Sequence, residues 1–242
     1  MVIDTTSLLA ALVAVTVGTA VQSLTGFGMA VIAAPILVLI NPDYLPAPIL
    51  ALGCVLSLLN CARYRHRMHF GNTRLALSGR VPGAALGIWL LALLPQSFFF
   101  LSFSLLIILS VILSYHHFSV SQSPRNLLIA GFFSGLMGTT TSVGGPPMAL
   151  AYQNSELSTA RAELGLFFLL GTLMSLCFLL LSGNFSHRQL LLTLPLLPAV
   201  LAGFWLSLKL DKRFQAHYLK PLIALLSLSA SAVILIKAIR AI

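Results

Sequence analysis

The chain has 242 residues, 58% of them hydrophobic and 8% charged, with a formal net charge of +9 at pH 7 and a mean hydropathy of +0.99. A soluble domain carries about a quarter charged residues, so this composition excludes a soluble globule and fits an integral, polytopic membrane protein. The positive charge does not make a nucleic-acid surface. The basic residues sit mostly in short loops between apolar runs, where they orient a chain in a bilayer, and no stretch interleaves them with aromatic side chains.

In chain order, the N-terminus Met1-Val2-Ile3-Asp4-Thr5-Thr6 lacks the positive start of a secretory signal, so the run after it is expected to stay as a membrane segment. No lipidation or targeting motif stands out at either end. Apolar segments follow at about residues 5–24, 26–40, 45–62, 76–94 and 97–115 in the first half. The second half offers about 126–141, 142–153, 161–182, 190–208 and 217–239. A spanning helix needs about 20 apolar residues. Segments 26–40 and 142–153 fall short and read as the return arms of re-entrant hairpins, or as halves of broken helices. Cys54, Cys61 and Cys177 lie in apolar segments without metal-ligand spacing and read as small, buried packing residues. His66, His69, His116, His117, His187 and His217 fall near segment ends and form no recognised ligand array, so no metal and no cofactor is expected.

Each short arm belongs to an interrupted stretch, Val17 through Gly28 and on to Pro35 in one half, Ser134 through Pro147 in the other. Gly, Thr and Pro are poor continuous helix formers. Backbone freed from helix inside a bilayer must be satisfied by protein or must line a wet cavity, and two such breaks in matching halves point to a transporter's binding site. The halves also share Pro82, Gly87, Trp89 and Leu90 with Pro198, Gly203, Trp205 and Leu206, an offset of 116. At an offset of 117, Gly18 falls on Gly135, Gln22 on Thr139, Thr25 on Ser142 and Gly28 on Gly145. Duplication explains both, with repeats at 1–121 and 122–242 forming a single transmembrane domain.

Orientation follows from the Lys/Arg bias. The basic loops Arg63 through Arg74 and Lys209 through Lys220 are both expected on the cytoplasmic side. In the repeat alignment the second corresponds to the Pro95-Gln96 turn, one span away from the first, so corresponding loops lie on opposite sides and the halves are inverted. Three spans and one re-entrant hairpin per half satisfy that count, although Lys237 and Arg240 then face out. Eight conventional spans would leave the halves parallel and one basic loop on the wrong side. The expected fold is thus an all-α polytopic membrane protein of two pseudo-symmetric, inverted repeats, each with a broken-helix hairpin and about three spanning helices.

Gly26-Phe27-Gly28 with Pro35, Gly135 through Gly145 with Pro146-Pro147, and the small-residue helix of Pro82, Gly83 and Gly87 resemble the sulfite exporter TauE/SafE family over nearly the whole chain. The resemblance implies a multi-pass protein of the bacterial inner membrane that moves sulfite, sulfoacetate and related organosulfur anions, and it implies export. It also implies a small anionic substrate as partner, beside the lipid bilayer; coupling to protons is what a secondary carrier of this kind leads one to expect. Nucleic acid is not an expected partner, and a homodimer is left open.

An anion that leaves water needs donors fixed in advance, and helix N-termini, close-approaching glycine backbone and hydroxyls supply them. Thr25, Gly26, Phe27 and Gly28 fit this in one hairpin, and Thr139, Thr140, Thr141, Ser142, Gly144 and Gly145 in the other. Small residues also serve close helix packing, which is enough to explain Gly83, Gly87 and Gly203. Gln22 and Asn60 are polar residues in apolar helices, able to bind substrate or to join helices. Arg80 opens a span. Its guanidinium matches an oxyanion, while an interfacial anchor that snorkels to the surface is the commoner use. Arg161 and Glu163 open another span, and Glu163 is the best carboxylate for proton coupling, against a structural Arg161–Glu163 neighbourhood. The expected function is a secondary carrier by alternating access, not an enzyme; a passive anion pore of the same architecture is the alternative. A membrane enzyme would show paired acidic or histidine residues inside spans, and a scaffold would not need two duplicated breaks.

Overall fold

The computed structural model describes residues 4–93, 95–115, 120–211 and 220–240. His116, His117, Lys212, Arg213 and His217 lie outside them. The described chain is helical, with no strand: α1 Thr5–Thr25, α2 Met29–Ile40, α3 Ala47–Tyr64, α4 Phe70–Leu93 and α5 Gln96–Tyr115, then α6 Pro124–Thr141, α7 Gly145–Ala151, α8 Leu157–Leu181, α9 His187–Thr193, α10 Leu197–Leu210 and α11 Lys220–Arg240. Among the described residues five stretches are long and apolar enough to cross a membrane: Thr5–Thr25, Pro42–Arg67, Phe70–Leu93, Leu157–Leu181 and His187–Leu210. The protein is a multi-pass membrane protein. Large apolar side chains such as Trp89, Leu181 and Trp205 remain exposed on the outer faces, as lipid-facing positions are. Cys177 is exposed too, so it does not pack inside as its apolar surroundings suggest.

The two interruptions are shorter than the sequence suggests. α1 continues through Gly18 and Gln22 to Thr25, and α6 continues through Gly135, Gly138 and Thr139 to Thr141. Only residues 26–28 and 142–144 leave the helix. α1 is itself long enough to span, so the first hairpin joins a full-length arm to the 12-residue α2, and the second joins the 18-residue α6 to the 7-residue α7.

Close backbone packing holds the bundle. α4 lies along α6 so tightly that a Cβ on Gly83 would collide with Phe132 O, and one on Gly131 with Ala76 O. α1 packs on α10 in the same manner, where Gly203 faces Thr16 O. Glycine at such crossings lets two backbones approach, the packing role expected of Gly83, Gly87 and Gly203. α3 packs on α8 and α5 on α11.

Ion pairs and polar bonds mark the two ends of the bundle. Arg63, at the end of α3, and Arg161, near the start of α8, both grip Asp211 at the end of α10, at 2.5 and 2.7 Å. Arg67 pairs with Glu156 at 2.7 Å, and Gln122 donates to Ser155 Oγ at 2.8 Å, so the starts of α4 and α6 share that end. At the other end Arg188 meets Asp43 at 3.0 Å, which joins the start of α9 to the turn after α2.

Candidate functional site

The first break is stabilised by Gln22. Gly26 and Gly28 take left-handed backbone, φ 96° and 119°, which costs any residue with a Cβ. The Gly26 N–H bonds Gln22 O at 2.7 Å, and the Met29 N–H bonds Gln22 Oε1 at 3.1 Å, so one residue satisfies backbone on both sides of the gap. In the second break Ser142 is left-handed, φ 64°. Its N–H bonds Gly138 O at 2.9 Å and its hydroxyl donates to Pro46 O at 2.8 Å. The breaks meet: a Cβ on Gly145 would lie 3.3 Å from Phe27 Cβ.

The hydroxyls of Thr25, Thr140 and Thr141 bond to carbonyls of their own helices, and that of Thr139 meets α8. Thr140 Oγ1 donates to Leu136 O at 2.8 Å, and Thr141 Oγ1 to Met137 O at 2.7 Å. Thr139 Oγ1 lies 2.8 Å from Ser175 Oγ. Thr25 Oγ1 lies 2.9 Å from Val21 O and 2.7 Å from Phe27 O. Bonding back to a carbonyl one turn earlier satisfies a hydroxyl inside a helix, which is why the Thr139–Thr141 run does not unwind α6.

Between the breaks lies a cavity of about 40 Å³, room for about three waters. Gln22, Gly28, Ser142, Gly144 and Gly145 line it, with the first turn of α2 (Met29, Ala30, Val31) on one wall and Ser57 and Thr172 on others. Arg80 lines it too. Here the interfacial-anchor reading fails: Arg80 is 1% exposed and sits ten residues into α4, about 15 Å along the axis, too deep to snorkel. Its Nη1 donates to Ser134 Oγ at 3.0 Å, and Ser134 Oγ donates on to Gly144 O at 2.6 Å. Its Nη2 reaches Ser175 Oγ at 3.4 Å, and its guanidinium lies 5.0 Å from the Phe167 ring centre. Gly171 leaves the space that the guanidinium fills.

Among the described residues no carboxylate comes within 4.0 Å of Arg80. Its buried Nε has no hydrogen-bond partner, and neither has the buried Ser57 Oγ on the same cavity. A buried cation without a counter-ion is costly. This cation is held by neutral hydroxyl acceptors and an aromatic face, on the wall of the cavity. The family model for sulfite exporter TauE/SafE matches residues 10–234.

The chain belongs to the TauE/SafE family. No curated protein and no solved structure matches it. Membership in this transporter family makes it a membrane transport protein, and residues 10–234 take in both breaks and the whole cavity.

The remaining candidates lie off this TauE/SafE cavity. Thr25, Gly26 and Phe27 shape the first break, and Thr139, Thr140 and Thr141 form the last turn of α6, without lining the space. Asn60 is 4% exposed with its Oδ1 unpartnered, one turn beyond Ser57 on α3. Arg161 and Glu163 do not pair with each other. Arg161 Nε donates to Leu24 O at 2.6 Å, capping the C-terminal end of α1 where positive charge is favoured. Its Nη1 bonds Asp211 at 2.7 Å and Tyr64 Oη at 3.1 Å. Glu163 is 2% exposed and accepts from Tyr152 Oη at 2.7 Å.

Sequence reasoning missed Ser57, Ser134, Thr172 and Ser175. One signal was available on α8, where Glu163, Phe167, Gly171 and Ser175 recur every four residues and so share a face. Ser57→Ala removes an orphaned hydroxyl from the cavity wall, and we expect a three- to tenfold weaker anion affinity, about 1 kcal/mol. Binding isotherms of wild type and variant against sulfite measure it; equal affinities would show that Ser57 does not reach the ligand.

Proposed function

We propose that this protein is a secondary carrier of small sulfur oxyanions, sulfite or an organosulfonate such as sulfoacetate, acting as an exporter in the bacterial inner membrane. One observation carries the reading: Arg80 lines the cavity with a buried guanidinium that, among the described residues, has no carboxylate within 4.0 Å and whose Nε has no hydrogen-bond partner. An oxyanion supplies the missing counter-charge, and a guanidinium presents its N–H groups in the planar fork that oxyanions match. The first turn of α2 lines the same space, and the N-terminal end of a 12-residue helix carries partial positive charge. Ser57, Ser142 and Gln22 add neutral polar groups.

Alternating access by inverted repeats is the mechanism we infer. It draws support from the marked ends of the bundle. α3 begins at the Asp43 end and finishes at the Arg63 end, whereas its counterpart α8 begins beside Arg161, at the Asp211 end. α4 starts next to the Arg67–Glu156 pair, whereas the α9–α10 unit starts at Arg188 and finishes at Asp211. Hairpins entering from opposite sides, with the anion between their tips, would open to one face at a time as the halves rock.

Purified protein reconstituted in vesicles is expected to bind sulfite and to exchange labelled internal sulfite for external sulfite. Ohmic, saturation-free sulfite current would favour a pore instead. Absence of both binding and flux for sulfite, sulfoacetate, taurine, sulfate and thiosulfate would overturn the anion assignment.

A further inference from the structure

α8 carries a second buried ionisable group that the anion site does not use. Glu163 is 2% exposed, and its two oxygens have different partners. Oε2 accepts from the Tyr152 hydroxyl at 2.7 Å, and Oε1 lies 3.6 Å from His69 Nδ1. The His69 side chain is 74% exposed and that of Glu163 3%. One imidazole therefore joins solvent to a carboxylate inside the bundle. An imidazole can hold a proton on either ring nitrogen and so can pass one between water and a carboxylate.

The other charged groups around this end of α8 do not pair with Glu163. Arg161 is held by Asp211, Tyr64 and Leu24 O. Arg67 binds Glu156 and Ser158, and the Ser158 hydroxyl with Arg67 keeps the Glu156 carboxyl below its ordinary value. Arg65 donates to His66, and Arg74 is exposed on α4. Among the described residues His69 is the only ionisable side chain placed on Glu163 besides Tyr152.

The position of Glu163 ties it to the cavity. Four, eight and twelve residues further along the same face of α8 lie Phe167, Gly171 and Ser175, the three residues against which the Arg80 guanidinium rests. Tyr152 follows directly on α7, the short arm of the second hairpin. The Tyr152–Glu163 bond thus fastens that hairpin to α8 at one end, while Arg80, through Ser134 and Gly144, fastens it at the other.

We propose that Glu163 is a proton-binding site of the carrier, filled through His69 and linked by α8 and the Tyr152 bond to occupancy of the Arg80 cavity. The protonated imidazole gives its Nδ1 proton to Glu163 Oε1; the carboxylate becomes a neutral acid, and the neutral imidazole is reprotonated by a hydronium ion of the solvent, so that one proton is taken up in all. No charge is created inside the bundle by this transfer, and the ionic contact with His69 is lost. The linkage to transport rests on the anion-carrier reading; the proton site itself does not.

Two measurements test it separately. Infrared difference spectra of the purified protein between acid and alkaline pH, without any anion, are expected to show a protonated-carboxyl component in wild type, beyond that of the other four carboxyl side chains, that is lost in Glu163→Gln. In vesicles, a pH gradient is expected to accelerate net sulfite flux in wild type by about tenfold, within the range of couplings between linked sites. Glu163→Gln should lose that stimulation and keep sulfite exchange at zero gradient, and His69→Ala should slow the response to a pH step while keeping the infrared band. The proposal is overturned by a carboxyl band that is identical in wild type and Glu163→Gln, or by an undiminished gradient effect in that variant. If Glu163→Gln does not fold, Glu163→Asp and Tyr152→Phe must shift the wild-type band, and an unmoved band rejects the site. A wild type that shows the carboxyl band but neither binds nor moves any anion would reject the carrier reading and leave the proton site standing.

Discussion

Arg80→Met is expected to lower sulfite affinity by more than a hundredfold and to leave the anion-free protein as stable as wild type, or more so. The two effects have one cause. On the proposed anion-carrier reading, the guanidinium and a bound oxyanion would form a buried, hydrogen-bonded pair, and removing one member of such a pair costs roughly 2–5 kcal/mol, with about 1.4 kcal/mol for each factor of ten. Without anion, the same guanidinium is a 1%-exposed charge with no carboxylate near it among the described residues, held by two serine hydroxyls and the Phe167 ring. Methionine of comparable length removes that desolvation cost while refilling the slot beside Gly171. A residue that served only to hold helices together would behave in the opposite way, losing stability with no specific effect on binding. Arg80→Lys should recover part of the affinity, since it restores charge but not the planar fork. Isothermal binding and thermal unfolding of the same samples decide the matter; unchanged affinity in Arg80→Met would remove Arg80 from the site.

The second large effect is structural. Gly131→Val is expected to prevent recovery of monodisperse protein, or to destabilise it by about 3 kcal/mol, the upper end of what overpacking costs. A Cβ at this position would run into the Ala76 carbonyl of α4, which is backbone and cannot rotate away. Gly79 and Gly83 meet α6 in the same way at Leu128 O and Phe132 O, so the helices would have to separate along much of their contact. Such separation would also move Arg80, which sits between Gly79 and Gly83 on α4. Gly71→Ala is the control, because nothing lies within 4 Å of a Cβ there, and its effect should stay within about 0.5 kcal/mol. Size-exclusion profiles and unfolding temperatures in detergent compare the two.

Membrane class, all-helical content and the location of the two breaks were legible in the sequence, because each depends on composition or on residues adjacent in the chain. Eight per cent charge leaves no way to cover a soluble surface, and Gly26 and Gly28 take up backbone that residues with a Cβ avoid. The extent of the breaks was not legible. Thr139, Thr140 and Thr141 weaken a helix by propensity, yet back-bonding to Leu136 O and Met137 O and contact with Ser175 keep α6 intact. A local preference of a few tenths of a kcal/mol per residue is readily overridden by such contacts.

The candidate site divides along the same line. Gln22, Gly28, Ser142, Gly144 and Gly145 could be singled out from the breaks alone and do line the cavity. Arg80, read from its flanks as an interfacial anchor, became a buried cation only when α6 and α8 closed around it. Ser57 is one hydroxyl among many in apolar helices until its neighbours are known, and His69 and Glu163 are 94 positions apart in the chain before folding brings them to 3.6 Å. Chain-local chemistry determined where the backbone must leave the helix; which charge has no partner is a property of the assembled bundle, since burial and pairing are decided by neighbours remote in sequence.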